Sequence, residues 1–257
     1  MTDATTTTTV EVPTWRDIAI AAAADLDLLA LLHDREPTRA VLVTLAEHPL
    51  EAAFWLRLTT KEAQAALSGM RAAVAALPSP LDDATVDELA AGYADVYLRY
   101  AFRASPTESV WLTEDGLERQ APMFLVREQY RRQGLKIADP AGRPEDHLVF
   151  QLRFVARQLK QAEGLAELKA VARFLDGHIL RWIRRFASQL LRAGAPDFFT
   201  ALALVTATYL DELRDHLTAV TGVARRQVGE SPAIGPDRKT NRAEEDRPYV
   251  PGIGPSW

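Results

Sequence analysis

Cysteine is absent from the 257-residue sequence, and this excludes several kinds of chemistry. Such a chain forms no disulfide framework, holds no zinc through thiolates and has no cysteine nucleophile. Long apolar runs are also missing: the longest uncharged stretch, Phe198 to Leu210, has 13 residues and is too short to span a bilayer. The first residues lack the basic and apolar regions of a secretory signal. These absences together predict a cytoplasmic protein without a membrane span.

A strong excess of charge of one sign is missing as well. The chain has 30 Lys and Arg against 35 Asp and Glu, and the formal net charge is -5. The two signs are mixed along the sequence, which argues against nonspecific binding to nucleic acid or to an anionic membrane. An acidic balance of this size is compatible with a basic peptide as partner.

The familiar sequence motifs of catalysis and cofactor binding are also absent. There is no GxGxxG or Walker A loop to hold phosphate and no HExxH spacing of metal ligands. Ser109 has no nucleophile elbow around it. The sequence therefore predicts a protein that is not an enzyme and has no metal site or permanently bound cofactor.

Apolar residues recur at steps of three and four along most of the chain, which is typical of helices with one buried face. The clearest stripes are Trp15, Ile18, Ala22, Leu26, Leu29 and Leu32, and then Leu165, Leu168, Val171, Leu175, Ile179, Trp182, Phe186 and Leu190. No useful length of sequence alternates with the period of a strand. The pattern predicts an all-α fold, a single globular domain of roughly eight to ten helices.

Both ends of the chain differ in composition from the middle. Residues 1–13 are polar and rich in threonine, and residues 223–257 combine proline, glycine and alternating charges. Such segments bury too little apolar surface to fold alone, so we expect a disordered N-terminus and an extended tail. The predicted helical domain is 14–222, and any division into subdomains would fall in the loop 135–143.

Capping residues predict where several helices begin and end. Thr14 is the expected N-cap of the first helix, and Gly134 suits the end of another. Pro144 suits the first position of a helix. The stripe from Leu165 to Leu190 predicts one continuous helix, and a short helix is expected at 54–56.

Two short motifs stand out, and each has two interpretations. In Glu108-Ser109-Val110-Trp111-Leu112, Trp111 could form the lip of an apolar groove, or it could pack into the core and hold the loop in place. In Pro144-Glu145-Asp146-His147, an aspartate beside a histidine could serve acid–base chemistry, or the segment could simply be a helix N-terminus. Composition favours the second interpretation in both cases. His178, on an apolar stripe, is expected to be a hydrogen-bonded core histidine.

Taken in order, these segments are similar to the TorD/DmsD family of chaperones for molybdenum enzymes. The resemblance covers about 90 to 190 and is carried by Tyr93 and Tyr97, by Pro106 with Glu108-Ser109-Val110-Trp111-Leu112 and Asp115, by Tyr130 with Gly134, by Pro144-Glu145-Asp146-His147 with Leu148, Leu152 and Phe154, and by Phe174-Leu175, His178, Trp182 and Phe186. The chain departs from the family pattern at Thr107, at Tyr100-Ala101-Phe102-Arg103-Ala104 and at Glu118-Arg119.

The resemblance implies a function in anaerobic respiration. A chaperone of this family binds the twin-arginine signal peptide and the apo catalytic subunit of a molybdopterin oxidoreductase. It assists cofactor insertion, in contact with cofactor-biosynthesis proteins, and prevents premature export. The molybdenum cofactor or a guanine nucleotide would be bound transiently, and the protein could be a monomer or a dimer. The particular client stays open.

A signal peptide presents two arginines and an apolar run, so its host needs an apolar groove with carboxylates at the rim. The groove is expected from Trp111, Leu112, Phe124, Tyr130 and Leu148, and the rim acids from Glu108, Glu114, Asp115, Glu145 and Asp146. The predicted client-binding set is completed by Ser109, Pro144 and His147, which lie on the family motifs.

Other classes of function are also open at this stage. The chain could be an all-α nucleotide- or ligand-binding regulatory protein, although it has no phosphate loop. A DNA-binding regulator would need a basic recognition helix, which the sequence does not offer. A hydrolase or lyase using Asp146 and His147 would need a further base or a metal nearby.

Overall fold

A computed structural model of the chain describes residues 14–138 and 142–226. Within these ranges the chain forms eleven α-helices, one short 3₁₀ helix at Ile179–Arg181 and no β-strand. The helices are α1 (Trp15–Asp34), α2 (Arg39–Glu47), α3 (Leu50–Ala53), α4 (Lys61–Ala75), α5 (Asp83–Tyr97), α6 (Glu108–Leu112), α7 (Ala121–Arg132), α8 (Leu148–Lys160), α9 (Leu165–Gly177), α10 (Ile183–Arg192) and α11 (Asp197–Thr221). The predicted all-α fold is confirmed. The predicted N-terminal segment 1–13 and all but the first four residues of the predicted tail lie outside the described residues.

The longest helix, α11, forms the centre of the core. Its 25 residues are buried on nearly every side, because α4, α9, α10, α1 and α5 all pack against it. Another extensive contact in the core joins α1 to α8. The apolar faces of these two helices include Leu26, Leu29, Leu152 and Leu159. A helix that is apolar around most of its circumference is stable only inside such a ring of neighbours. In the described part of the chain, no helix is long and apolar enough to cross a membrane.

Local capping explains several helix ends. The Thr14 side chain accepts the backbone N–H of Asp17, whose carboxylate accepts the N–H of Thr14, so the predicted N-cap is a complete capping box. Thr60 and Asp82 cap α4 and α5 more simply, since each side chain accepts the backbone N–H of the residue three positions later. The chain turns after α7 at Gly134, whose φ of +67° is easily reached only by glycine.

The short helix expected at 54–56 was placed slightly too late in the chain. The helix is α3, and the residues after it run through a turn. The reason is the buried carboxylate of Asp25, which accepts the backbone N–H groups of Trp55 and Leu56 at 2.9 and 3.0 Å. Those two N–H groups are therefore held by α1 and are not part of a helix.

The single helix predicted over Leu165 to Leu190 is wrong, because the chain breaks at His178. This residue has φ −129° and ψ −94°, outside the helical region, and a 3₁₀ turn leads from it into α10. His178 Nδ1 lies 3.0 Å from Glu108 Oε1, and the histidine is buried. The prediction of a hydrogen-bonded core histidine is confirmed. The helix ends at this residue, whose side chain contacts Glu108 of α6.

The helix predicted to start at Pro144 begins four residues later, at Leu148. His147 is the N-cap, and its Nδ1 accepts the N–H of Val149 at 3.2 Å. The residues before it form a turn, in which the His147 N–H donates to the Pro144 carbonyl at 3.0 Å, and His147 itself pairs with the segment that precedes α6. Tertiary pairing has overridden a local helix-start signal.

Candidate functional site

The two motifs singled out in the sequence meet in space. Thr107 and His147 form an isolated antiparallel β-bridge. Beside it, the Leu148 N–H donates to the Pro106 carbonyl at 2.8 Å, and the Glu108 N–H donates to the Asp146 carbonyl at 3.2 Å. This backbone pairing fixes the start of α6 against the start of α8.

Side chains strengthen the same junction. Asp146 Oδ2 accepts both the backbone N–H and the hydroxyl of Ser109, at 2.7 and 2.5 Å. The Gln151 amide donates to Glu108 Oε2 at 2.9 Å and to the Asp146 carbonyl at 2.8 Å. Since Glu108 also contacts His178, one buried network joins α6, α8 and the end of α9. We call Glu108, Ser109, Asp146, Gln151 and His178 the buried polar junction.

Burial sets the electrostatics of this junction. Desolvation, together with the nearby Glu108 carboxylate, raises the pKa of Asp146 to about 6. The two hydrogen bonds from Ser109 act in the opposite direction. Desolvation lowers the pKa of His147 to about 3, so its imidazole is neutral at physiological pH. Asp146 bonds to Ser109 while His147 caps α8, so these neighbours do not form the acid–base pair that a hydrolase would use. No cluster of metal-ligating side chains exists among the residues of the described ranges.

Several predicted groove residues are also interior. Leu148 and Pro144 are buried, and Tyr130 is 3% exposed with its hydroxyl donating to the Glu145 carbonyl at 3.1 Å. The Glu145 carboxylate is paired with Arg127. In this conformation Tyr130, Glu145, Leu148 and the junction acids therefore support the surface from beneath.

Other predicted residues do reach the surface. Glu114 and Asp115 are exposed, Phe124 is 52% exposed, and Trp111 and Leu112 are half-buried. The Trp111 indole N–H donates to the Ser105 carbonyl at 2.7 Å, and the Arg185 guanidinium lies 5.6 Å from its ring centroid. Trp111 therefore holds the loop, as one interpretation predicted, and also presents part of its ring at the surface, as the other predicted.

One further apolar residue is exposed on the loop 113–120, and another is exposed on the helix that follows the loop. Leu117 is 58% exposed on the loop, and Leu125 is 40% exposed next to Phe124 in the first turn of α7. Glu118 anchors the loop, because its carboxylate accepts the hydroxyls of Ser105 and Thr107 at 3.3 Å. Sequence reasoning missed these two leucines, although their position beside Glu114-Asp115 was a usable signal. We call Glu114, Asp115, Leu117, Phe124 and Leu125 the acidic–apolar patch.

A groove lies on the other side of α7, where the segment 135–137 crosses between α7 and α8. It consists of two adjoining cavities of about 490 and 220 Å³ that share Tyr130, Leu135, Lys136 and Ile137. Its remaining lining residues are Arg127, Arg131, Glu145, Phe150, Arg153, Phe154 and Arg157. Five cationic side chains surround an apolar floor, and one carboxylate is present. We call this feature the cationic groove; it was not predicted, because its arginines looked like solvated helix faces.

The fold and the site first define a class of protein, an all-helical domain in which two motifs distant in sequence pair with each other. The surface above them offers carboxylates and apolar side chains, and a cationic groove lies beside α7. Comparisons with known proteins then identify the family. A family model described as the nitrate reductase delta subunit matches residues 62–188. Three similar relatives are all chaperone proteins TorD.

The TorD of Vibrio cholerae serotype O1 is 31% identical over 133 residues, which cover 49% of this chain and 60% of the relative. The TorD of Shewanella loihica is 28% identical over 131 residues, with the same coverage. The TorD of Shewanella piezotolerans is 24% identical over 200 residues, or 75% of this chain and 90% of the relative. The match thus spans about three-fifths of the length of the first of these relatives. The predicted resemblance to the TorD/DmsD family is confirmed over the matched residues.

Proposed function

We propose that this protein is a maturation chaperone of the cytoplasm that binds the twin-arginine signal peptide and apo catalytic subunit of a molybdopterin oxidoreductase. It would hold the client until its cofactor is inserted and so prevent premature export. Similarity to relatives that are named chaperones supports this function. The protein's role is then recognition, which agrees with the absence of a catalytic motif from the sequence.

One observation carries the proposal: the acidic–apolar patch offers both kinds of chemistry that the signal peptide needs. Its two exposed carboxylates can accept guanidinium hydrogen bonds, and its exposed aromatic and aliphatic side chains can cover an apolar run. Trp111, three residues before Glu114, already has a guanidinium near its ring. An arginine of the leader could make a similar cation–π contact.

The buried polar junction has a positioning part in this proposal. Asp146 holds the first turn of α6 through Ser109, and Ser109 Oγ also accepts the N–H of Gln120, the residue that precedes α7. The loop that carries Glu114 and Asp115 lies between those two anchors. The motif residues of the interior thus orient the patch, and the patch residues contact the peptide.

Neutralising the patch tests the assignment. We expect the double variant Glu114→Gln with Asp115→Asn to bind a synthetic Arg-Arg leader peptide about tenfold more weakly, because two charge-assisted contacts are lost. Isothermal titration calorimetry at two salt concentrations measures the effect. The matched control is Asp87→Asn with Glu88→Gln, an adjacent pair of exposed acids on α5. Equal affinities for the two double variants would remove the patch from the binding site.

The cationic groove supports a second candidate, binding of a guanine nucleotide or of the molybdenum cofactor. Arg131, Lys136 and Arg157 are exposed there and form no ion pair with any residue of the described ranges. Equilibrium dialysis with GTP tests this function. Binding that is lost in Lys136→Glu and kept in Lys61→Glu, a lysine at the start of α4, would support it, and no retention of GTP would reject it.

A further inference from the structure

The cationic groove has the chemistry of a docking site for an anionic peptide. Three of its cations, Arg131, Lys136 and Arg157, have no acidic partner in the part of the chain that the structure describes. A twin-arginine leader would be repelled by such a rim, so the groove needs an occupant of opposite charge. Because the cations stand on three separate elements, a short run of acids could meet all of them.

The floor of the groove adds an apolar requirement. Leu135 and Ile137 are half-buried, and the Phe154 ring lies between those of Tyr130 and Phe174, tilted against both, at centroid distances of 4.8 and 4.7 Å. A floor of this kind accommodates an aromatic or branched side chain. The fitting occupant therefore has carboxylates next to an aromatic and an aliphatic residue.

The sequence beyond the described residues contains such a segment. Glu244-Glu245-Asp246 is followed, after Arg247, by Pro248-Tyr249-Val250. The three acids match the three unpaired cations in number, and Tyr249 and Val250 match the apolar floor.

The last described residues fix the point at which this tail leaves the domain. The Arg226 N–H donates to Asp176 Oδ2 at 3.2 Å, and the Arg214 guanidinium holds the carbonyls of Val223 and Ala224. Asp176 lies on α9 two positions after Phe174, whose ring contacts Phe154 of the groove, so the two side chains face different sides of that helix. The 18 steps from Arg226 to Glu244 can span up to about 60 Å when extended, so length does not prevent the contact.

We propose that the segment Glu244–Val250 of this chain docks in the cationic groove, with its three carboxylates on Arg131, Lys136 and Arg157 and with Tyr249 on the apolar floor. Because the segment is tethered, its effective concentration at the groove is in the millimolar range for a short linker, so modest intrinsic affinity is sufficient. The tail is then an internal occupant that an external anionic ligand must displace. This inference is independent of leader binding, which uses the acidic–apolar patch.

The absence of cysteine makes a proximity experiment direct, because each thiol introduced is unique. In the full chain, Gln133→Cys places a thiol at the end of α7 and leaves the groove cations in place, and Val250→Cys labels the tail. The control pair is Gln64→Cys with Val250→Cys, since Gln64 is exposed on α4, which packs against α11. A short bismaleimide reagent cross-links the pairs at low protein concentration.

We expect the groove pair to cross-link within one chain at least about tenfold faster than the control pair, as a millimolar local concentration requires. Replacing Glu244, Glu245 and Asp246 by lysine in the groove pair should remove the advantage, and so should 1 M salt, because screening is then nearly complete. Equal rates for the two pairs, or an advantage that survives charge reversal, would overturn the proposal. Cross-links between two chains would also overturn it, by showing a second copy as the occupant.

Discussion

Replacing Arg214 by methionine is expected to lower the free energy of unfolding by about 3 to 5 kcal/mol, because it leaves a buried carboxylate unpaired. The Arg214 side chain is 0% exposed, and its guanidinium donates to both oxygens of Asp176, at 2.8 and 2.7 Å. It also donates to Thr218 Oγ1 at 2.6 Å and to the Val223 carbonyl at 3.2 Å. One residue therefore joins α11, the end of α9 and the chain that leaves the domain. Urea unfolding followed by circular dichroism measures the loss.

Arg184→Met is the matched control for this prediction. Arg184 pairs with Asp211 at 2.6 Å, but its side chain is 58% exposed. Exposed pairs contribute at most about 1 kcal/mol, so this change should shift the unfolding midpoint only slightly. If the two variants were equally stable, Arg214 would not hold the helices together as described.

Acidification from pH 6.5 to pH 4 is expected to destabilise the fold through two buried histidines. Burial lowers the pKa of His33 and of His147 to about 3 each, from an ordinary value of 6.5. Below pH 6.5 the unfolded chain binds protons that the folded chain does not, so each histidine reduces stability by about 1.4 kcal/mol per pH unit. Asp146 acts in the opposite direction between pH 6 and pH 3.8, because its raised pKa lets the folded state take up a proton first. Asp25, whose pKa burial also raises, acts like Asp146. Asp34 and Glu212, whose pKa values are lowered, add to the effect of the histidines, so stability falls.

The substitution His147→Asn tests the histidine part of this prediction. Asparagine keeps a side-chain oxygen for the Val149 N–H and is a good N-cap, but it does not titrate. We expect the slope of unfolding free energy against pH between 6.5 and 4 to change by about one proton. His48→Asn, at an exposed position after α2, should leave the slope unchanged. A variant slope equal to that of the parent chain would show that His147 is not buried in its neutral form.

The helices and their caps could be predicted because their causes are local. Thr14, Thr60 and Asp82 each cap the helix that follows, using a side chain within three residues of its partner. The apolar stripes of α1 and α9 likewise depend only on spacing along the chain. Such signals are complete in a single stretch of sequence.

The errors all involve contacts between distant segments. His178 breaks the expected long helix beside Glu108, 70 positions away, and Asp146 remains outside α8 because it bonds to Ser109. The site was identified in part: the motifs do meet, but several of the predicted groove and rim residues are buried and support the surface. The cationic groove was missed because it needs α7, α8 and the segment between them in place before its arginines converge.

The central claim of the proposed function is that this protein recognises an arginine-bearing leader through exposed carboxylates and apolar side chains. Calorimetric titration of the full chain with two synthetic leaders tests it most directly, one with an Arg-Arg pair and one with Lys-Lys before the same apolar run. Guanidinium groups bind carboxylates bidentately and stack on aromatic rings, which ammonium groups do less well. The account predicts that the Arg-Arg peptide binds about tenfold more tightly than the Lys-Lys peptide. It also predicts that the affinity for the Arg-Arg peptide falls as the salt concentration rises. Equal affinity for the two peptides, or no binding of either, would contradict it.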